Sequence, residues 1–556
     1  MKVLKSKPEL LKTLKNYNKE KFMADLMAGI IVGIVALPLA IAFGIASGVS
    51  PEKGILTAIV AGFAISVFGG SRVQIGGPTG AFIIIIYGII QEYGLEGLAI
   101  ATVLAGAFLI LLGAFRLGSI IRYIPYPIVV GFTSGIALTI FTTQIKDLFG
   151  LSIEGEIPAD FISKWGIYLK NFISLDIPTT IVGILSVVII AITPKFSKKI
   201  PGSLIAIIIM TLAGIVMKNY FGVHVDTIGD RFKIDPSIPD AIVPNLNWEA
   251  IKSLISPAIT IAVLGAIESL LSATVADGII GHRHDSNQEL IGQGIANIVT
   301  PIFGGIPATG AIARTMTNIN NGGKTPIAGI IHAVVLLLIY FFLMPYAQYI
   351  PMACLAGVLV VVAYNMSGWR TVREMMHNPK SDVTVLWITF ILTVIFDLTI
   401  AIEIGLVMAC LLCMRRMAET THVSVLTDEI DPNDESDLEV NMEHLIIPKG
   451  VEVYEINGPY FFGIANKFED IMAEMPDRPK VRIIRMRKIP FIDSTGIHNL
   501  SNLISMSKKD GITIILSGVN DYVHGILDKN GFNEILGKEN ICENINIALE
   551  KAKSMV

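Results

Sequence analysis

Gly77-Pro78-Thr79-Gly80-Ala81 and Pro307-Ala308-Thr309-Gly310-Ala311 lie 230 positions apart and share the tripeptide Thr-Gly-Ala. Each follows a brief stretch that reads as extended, Val73-Gln74-Ile75 and Gly304-Gly305-Ile306, and each opens an apolar run. Both sit deep inside a half of a strongly hydrophobic chain. Gly/Pro-interrupted segments at matching places of two halves point to a ligand site near the middle of a bilayer. A helix that begins there presents N–H groups with no intrahelical acceptor and about half a positive charge, which suits an anion.

The rest of the sequence agrees with a membrane setting. Of 556 residues, 52% are apolar and 16% charged, and the charges crowd the first 25 residues, a few loops and everything after Arg415. A net charge of −4 gives no reason to expect a nucleic-acid partner. The first apolar run, Leu26 to Gly48, is too long for a cleaved signal and reads as a retained helix. The four cysteines, Cys354, Cys410, Cys413 and Cys542, lie outside candidate outer loops, so no disulfide framework is expected. Cys410-Leu-Leu-Cys413 has metal-like spacing but no His or Cys partner nearby, and reads as helix packing. No metal site is expected.

Fourteen hydrophobic segments start near residues 26, 54, 79, 95, 123, 177, 201, 251, 286, 309, 325, 350, 383 and 399. With the N-terminus inside, loops after even-numbered segments should be basic. They carry Arg72; Arg116 and Arg122; Lys195, Lys198 and Lys199; Arg283; Lys324; Arg370, Arg373 and Lys380; and Arg415-Arg416. The long loops around 146–176 and 218–250 mix both signs and read as outer. Seven segments per half invert the second half relative to the first. The third of each half, 79–90 and 309–318, is too short to cross. The expected organisation is an α-helical membrane protein with a cytoplasmic N-terminus at 1–22 and a transmembrane region at 23–420. Its 14 transmembrane segments form a 7+7 inverted repeat over about 23–220 and 250–420. Seven acidic residues in 427–439 read as part of a linker at 421–440. From 441 to 556 the pattern is soluble α/β: strands at 451–456, 481–486 and 512–516, helices near 464–475, 496–508 and 541–553.

Taken together, these residues resemble the SulP family, the bacterial relatives of solute-carrier family 26. The resemblance runs through Gly69-Gly70-Ser71-Arg72, Gly77-Pro78-Thr79, Asn287-Gln288-Glu289-Leu290 with Gly294 and Asn297, and Gly322-Gly323-Lys324-Thr325-Pro326. The tail resembles a cytoplasmic STAS domain, with Phe491-Ile492-Asp493-Ser494-Thr495-Gly496 at its signature loop. Within the family, Leu264-Gly-Ala-Ile-Glu268-Ser-Leu-Leu, Ala311-Ile-Ala-Arg314 and Ala363-Tyr-Asn-Met-Ser367 are most similar to the C4-dicarboxylate carriers. The resemblance implies a core of segments 1–4 and 8–11, a gate of 5–7 and 12–14, an elevator-like motion and a homodimer.

The candidate substrate-binding residues are Thr79, Gly80, Ala81, Ala311, Ile312, Ala313 and Arg314. Gly80, Ala81, Ala311, Ile312 and Ala313 would offer main-chain N–H groups from two facing helix starts, or else serve only as close-packing residues. By resemblance Thr79 adds a hydroxyl and Arg314 a charge beside the anion; Arg314 could instead be a cytoplasm-facing positive charge. Glu268, with Ser272 one turn on, is the ion-coupling candidate, because a mid-span carboxylate is costly unless it has a function. H⁺ is the preferred coupling ion and Na⁺ the alternative; no cofactor is expected. A structural salt bridge between Glu268 and Arg314 is the competing reading. Glu289, Gln293 and Asn297 read as a scaffolding hydrogen-bond stripe, and Asp397 and Glu403 as gate residues. Ser494 is a candidate regulatory phosphosite, or simply a strand-to-helix turn, in a domain that could take a cytoplasmic protein partner.

Against a negative-inside potential a dianion costs about 4.6 kcal/mol per 100 mV to import, so uptake needs cotransported cations or exchange. The sequence therefore reads as a secondary active importer in the lipid bilayer of the bacterial inner membrane, both termini cytoplasmic. C4-dicarboxylates lead, sulfate and bicarbonate follow. Other readings are a Na⁺-coupled bicarbonate symporter, an exchanger or a passive anion channel. An intramembrane hydrolase lacks a nucleophile–base pair or metal cluster.

Overall fold

The computed structural model describes residues 7–119, 125–153, 155, 157–158, 160–196, 201–234, 248–396, 398–426, 429–430, 445–462 and 479–556. It divides into two compact units, Met1–Val407 and Met408–Val556.

The first unit holds α1 (Lys19–Ala46), α2 (Pro51–Phe68), α3 (Ile83–Ala114), α4 (Tyr126–Phe149), α5 (Ile177–Phe196), α6 (Gly202–Phe221), α7 (Trp248–Ile280), α8 (Ser286–Val299), α9 (Ile312–Asn320), α10 (Ile327–Leu343), α11 (Met352–Met366) and α12 (Lys380–Ile395). Helix α13 (Leu398–Thr420) runs across the boundary. Among the described residues nine helices are long and apolar enough to cross a membrane. The third and fourth apolar segments are one run, broken only where Gly94 leaves helical geometry at φ 70°. The ninth and tenth, α8 and α9, have 14 and 9 residues, less than the roughly 20 that a bilayer needs.

Two groups of helices are visible. Helices α1–α3 and α7–α10 pack together, as do α4, α5, α6, α11 and α12. The partnerships within the first group come in matched pairs: α1 lies on α10 as α7 lies on α3, and α2 on α10 as α8 on α3. That matching is what an inverted repeat demands. The α3–α8 contact is close because both sides are glycine. A Cβ on Gly106 would lie 2.6 Å from the Gly294 carbonyl, and one on Gly294 would lie 2.5 Å from that of Gly106.

At the centre of the first group, β1 (Gly76–Gly77) pairs antiparallel with β2 (Thr309–Gly310), Gly76 opposite Gly310 and Gly77 opposite Thr309. The extended segments therefore lie later in the chain than 73–75 and 304–306. The pairing also revises the echo. A two-fold axis through the Gly77–Thr309 pair sets an offset of 232, which also relates the two N-cap residues Thr79 and Ala311, whereas the shared Thr-Gly-Ala is offset by 230. Thr79 thus corresponds to Ala311, and Thr309 is a strand residue whose hydroxyl donates to the Gly265 carbonyl at 2.8 Å. The second helix starts at Ile312, three residues after the echoed threonine.

The N-terminal stretch is anchored. Glu9 is buried, donates its N–H to the Gly69 carbonyl and pairs with Lys12 and Arg72, each at 2.9 Å. Buried Asp25 accepts from the N–H groups of Lys324 and Thr325 and from the Thr325 hydroxyl, which gives Gly322-Gly323-Lys324-Thr325-Pro326 its task of fixing the start of α10.

The second unit is a five-stranded sheet in the order β3 (His422–Leu426), β4 (Val451–Asn457), β5 (Val481–Arg485), β6 (Thr513–Ser517), β7 (Ile541–Cys542). β3 is antiparallel to β4; the other pairs are parallel. Alternate residues serve opposite faces. Tyr454, Ile484 and Leu516 pack with α14 (Ser494–Lys509) and α15 (Asp521–Lys529). Val453, Ile483 and Ile515 pack with α16 (Ile545–Met555). The soluble domain therefore begins near His422, inside the stretch read as linker, whose acidic core lies mostly outside the described residues, as do the helix expected at 464–475 and Asp397. Cys410 and Cys413, read as helix packing, are exposed on α13 among the described residues.

Candidate anion site at two helix starts

The site is best built from the buried polar network behind it. Glu289 on α8 has no exposed surface, and its two oxygens accept five bonds. Oε2 takes the N–H groups of Gly70 (2.8 Å) and Ser71 (3.0 Å). Oε1 takes Gln74 Nε2 (2.9 Å), Gln293 Nε2 (3.0 Å) and Ser269 Oγ (3.3 Å). A buried carboxylate persists only with such satisfaction. Two turns on, Asn297 clamps Ala308: its Oδ1 accepts the N–H at 2.9 Å and its Nδ2 donates to the carbonyl at 2.8 Å. The stripe Glu289, Gln293 and Asn297 is scaffolding, as its spacing suggested. The second half-helix returns the favour to the first half, since Thr315 Oγ1 accepts from Ile75 N at 3.1 Å and Asn318 Nδ2 donates to the Val73 carbonyl at 2.8 Å.

This network fixes two helix starts. The first is the short 3₁₀ turn Gly80–Phe82 that leads into α3, with Thr79 at its N-cap. A threonine there ordinarily caps the helix with its hydroxyl. Thr79 makes no such cap; its hydroxyl donates instead to Glu268 Oε2 at 2.9 Å. The second start is Ile312 of α9, capped by Ala311, which has no side-chain acceptor. Both starts are left without a side-chain cap, so their first N–H groups are free of intrahelical partners. Two such ends sum to about one positive charge.

The candidate residues fall into different places. Gly80 and Ala81 are buried; Ile312 and Ala313 are exposed. Ala311 does not offer its N–H to a ligand, because that group donates to the Ile75 carbonyl at 2.9 Å. Arg314 is 1% exposed, which rules out a cytoplasm-facing charge. It reaches back across the strand pair, where Nη2 donates to the Pro78 carbonyl at 3.0 Å and Nη1 lies against Gly77. Among the described residues no ion pair joins it to Glu268. Ser272 is buried and donates to Thr315 Oγ1 of α9 at 3.3 Å, a bond that leaves its oxygen lone pairs open. Of Glu403 only the backbone is described. Ser494 is exposed at the first position of α14, after Asp493, which caps Gly496 N at 2.8 Å and also accepts from Phe462 N at 3.2 Å.

Some site neighbours escaped the sequence reading. A Cβ on Gly80 would meet Met366 Sδ at 3.1 Å, Ile140 Cδ1 at 3.3 Å and Phe43 Cε1 at 3.4 Å, so α11, α4 and α1 cover the first helix start. Met366 belongs to a run, Ala363 to Ser367, that the sequence marked only by resemblance. Ile140 and Phe43 are each one of many apolar residues in their helices and carry no signal. The sole group of three or more metal-ligating side chains among the described residues is His224, Asp226 and Asp230, remote in sequence from every site residue.

Comparison with known proteins completes the picture. The sulfate permease family model matches residues 22–389, and a STAS domain model matches 445–548. A putative sulfate transporter of Bacillus subtilis, YvdB, is 40% identical over 94% of this chain and 97% of its own. The bicarbonate transporter BicA of Picosynechococcus is 30% identical, over 82% and 81%. The solved transmembrane domain of a cyanobacterial BicA superposes with a TM-score of 0.63 at 28% identity, covering 71% of this chain and 98% of that one. The murine Slc26a9 anion transporter in its inward-facing state gives 0.86 at 20% identity over 98% and 94%, a likeness of fold. These descriptions name sulfate and bicarbonate, not dicarboxylates, so the C4-dicarboxylate likeness drawn from three short runs gains nothing from them. The chain belongs to the sulfate permease family of membrane anion transporters, carries a C-terminal STAS domain, and is a transporter rather than an enzyme.

Proposed function

We propose that the protein is a secondary active transporter that carries a small inorganic or carboxylate anion across the plasma membrane, holding it at the two helix starts and coupling its passage to a cation on Glu268. One observation carries this reading. Thr79 turns its hydroxyl away from the helix it should cap and gives it to Glu268. The group that would otherwise neutralise the first helix start is thereby tied to an acid that can take a cation. An ionised Glu268 one side chain away from the anion repels it. H⁺ on Glu268 removes that repulsion, so proton and anion enter together; Na⁺ held by the carboxylate and the Thr79 hydroxyl is the alternative.

Among anions, sulfate leads. Two helix ends plus Arg314 supply about two positive charges, and the Bacillus subtilis relative is described as a sulfate transporter. Bicarbonate, named for the cyanobacterial relatives, and C4-dicarboxylates follow. Movement of the α1–α3 and α7–α10 group against α4–α6, α11 and α12 would carry the site across, and a homodimer would hold the second group still in the bilayer. Uptake of labelled sulfate, bicarbonate and succinate into proteoliposomes, each under an imposed H⁺ or Na⁺ gradient, tests the reading. Accumulation of sulfate with H⁺ is expected; flux that ignores both gradients would indicate a channel.

A further inference from the structure

A cavity of the transmembrane unit lies apart from the residues of the site above. It has a volume of about 620 Å³ and lies between the two helix groups. Tyr87 and Glu92 of α3 form one wall, Gln144 and Asp147 of α4 another, and the loop helix Phe161–Asn171 is its cover. Ile83 and Ile84, in the first turn of α3, form its floor, so the cavity abuts the helix that starts at the anion site.

Its charges are unequal in how they are satisfied. Arg231 pairs with Asp147 at 2.7 Å. Asp160 caps the loop helix through Ser163 N at 2.8 Å. Lys164 is 5% exposed, yet among the described residues its ammonium has no carboxylate within 4 Å and no hydrogen-bond acceptor; it lies 5.9 Å from the centre of the Tyr87 ring. Burial holds this lysine below the usual range, with Asp160 pulling partly the other way. Asp160 is too far to pair with the ammonium directly, and a ring face is worth only about 0.5–2 kcal/mol to it. Lys146 lines the same space.

We propose that this cavity is a second anion site, an outer vestibule in which Lys164 is the counter-charge that receives the transported oxyanion or carboxylate before it reaches the helix starts. The side is set by the charge pattern of the loops, which makes the 146–176 loop external, and the inference rests on the anion-transport reading for its ligand. Lys164 lies on the cover and Tyr87 on the moving group. An anion that draws the ammonium off the ring also loosens a contact between the two helix groups.

Trp165, next to Lys164, donates to Thr142 Oγ1 at 3.3 Å and reports on the cover directly. With Trp248, Trp369 and Trp387 replaced by Phe, its emission is titrated with sulfate, bicarbonate and succinate, with gluconate as control. A saturable change is expected with the transported anion. It should vanish in Lys164→Met, survive in Lys164→Arg, and survive in Glu268→Gln, where coupling is lost. In right-side-out vesicles Lys164→Met should raise the KM for external anion about tenfold with little change in maximal rate, and Lys164→Arg should restore it. Raising the pH should weaken the titration, because the ammonium is lost as pH passes its lowered range. A flat titration, or one unchanged by Lys164→Met, overturns the vestibule site whatever uptake shows. Gradient-independent uptake with an intact titration overturns the Glu268 reading alone.

Discussion

The two helix starts are related by the strand pair between them, yet they are built differently. At the first, the cap residue is Thr79, its hydroxyl is committed to Glu268, and Met366, Ile140 and Phe43 cover Gly80. At the second, the corresponding cap residue is Ala311, with no polar side chain, and Arg314 reaches back to the Pro78 carbonyl of the first half. One start carries the acid–hydroxyl pair and the other supplies the permanent charge. Under the proposed function, the repeat would share binding between its halves and assign coupling to one of them. Symmetry places the ends of the helices, and the departures from symmetry give each end its chemistry.

Substitutions can break this contrast in order of size. Gly77→Ala should be the most damaging. Its φ of 152° is unfavourable for an L side chain, and a Cβ would lie 2.0 Å from Arg314 Nη1, so loss of about 3 kcal/mol or more is expected as a lowered Tm in detergent. Asn297→Ala orphans both main-chain groups of Ala308 and should cost about 2 kcal/mol by the same measurement. Arg314→Gln keeps a donor for Pro78 but removes the charge; the KM for a dianion should rise about tenfold and that for a monoanion less, in paired uptake assays. Thr79→Val removes the link to Glu268 while retaining shape, and should slow coupled uptake roughly threefold to tenfold without lowering Tm by more than a few degrees. Gly80→Ala sharpens the picture at the smallest scale. Its new methyl meets the flexible tip of Met366, so stability should change by less than about 1 kcal/mol while transport falls, because that contact closes over the site.

Much of this was legible in the sequence. Hydropathy located the helices, since lipid-length apolar runs have few alternatives. The Glu289-Gln293-Asn297 stripe was recognisable because three polar residues one turn apart in an apolar helix must find partners inside the protein. The register of the repeat was not legible. Thr-Gly-Ala repeats by composition at an offset of 230, while the Gly77–Thr309 pair and the two N-caps set 232, and pairing across 230 residues leaves no local trace in a single sequence. Direction of side chains was hidden too. Nothing in Ala311-Ile-Ala-Arg314 says that the guanidinium turns back to Pro78, or that the Ala311 N–H is spent on Ile75. His422–Leu426 was absorbed into the linker because its His-Val-Ser-Val alternation is only four residues long and runs into the acidic stretch.

The central claim is that the first helix start, through Thr79 and Glu268, joins anion and cation in one step. Its most direct test is accumulation of labelled sulfate in proteoliposomes under an inward H⁺ gradient, with Na⁺ present or absent, for the parent protein and Glu268→Gln. The account predicts that the parent concentrates the anion above equilibrium and that Glu268→Gln only equilibrates it down its own gradient. Undiminished gradient-driven accumulation in Glu268→Gln would contradict it.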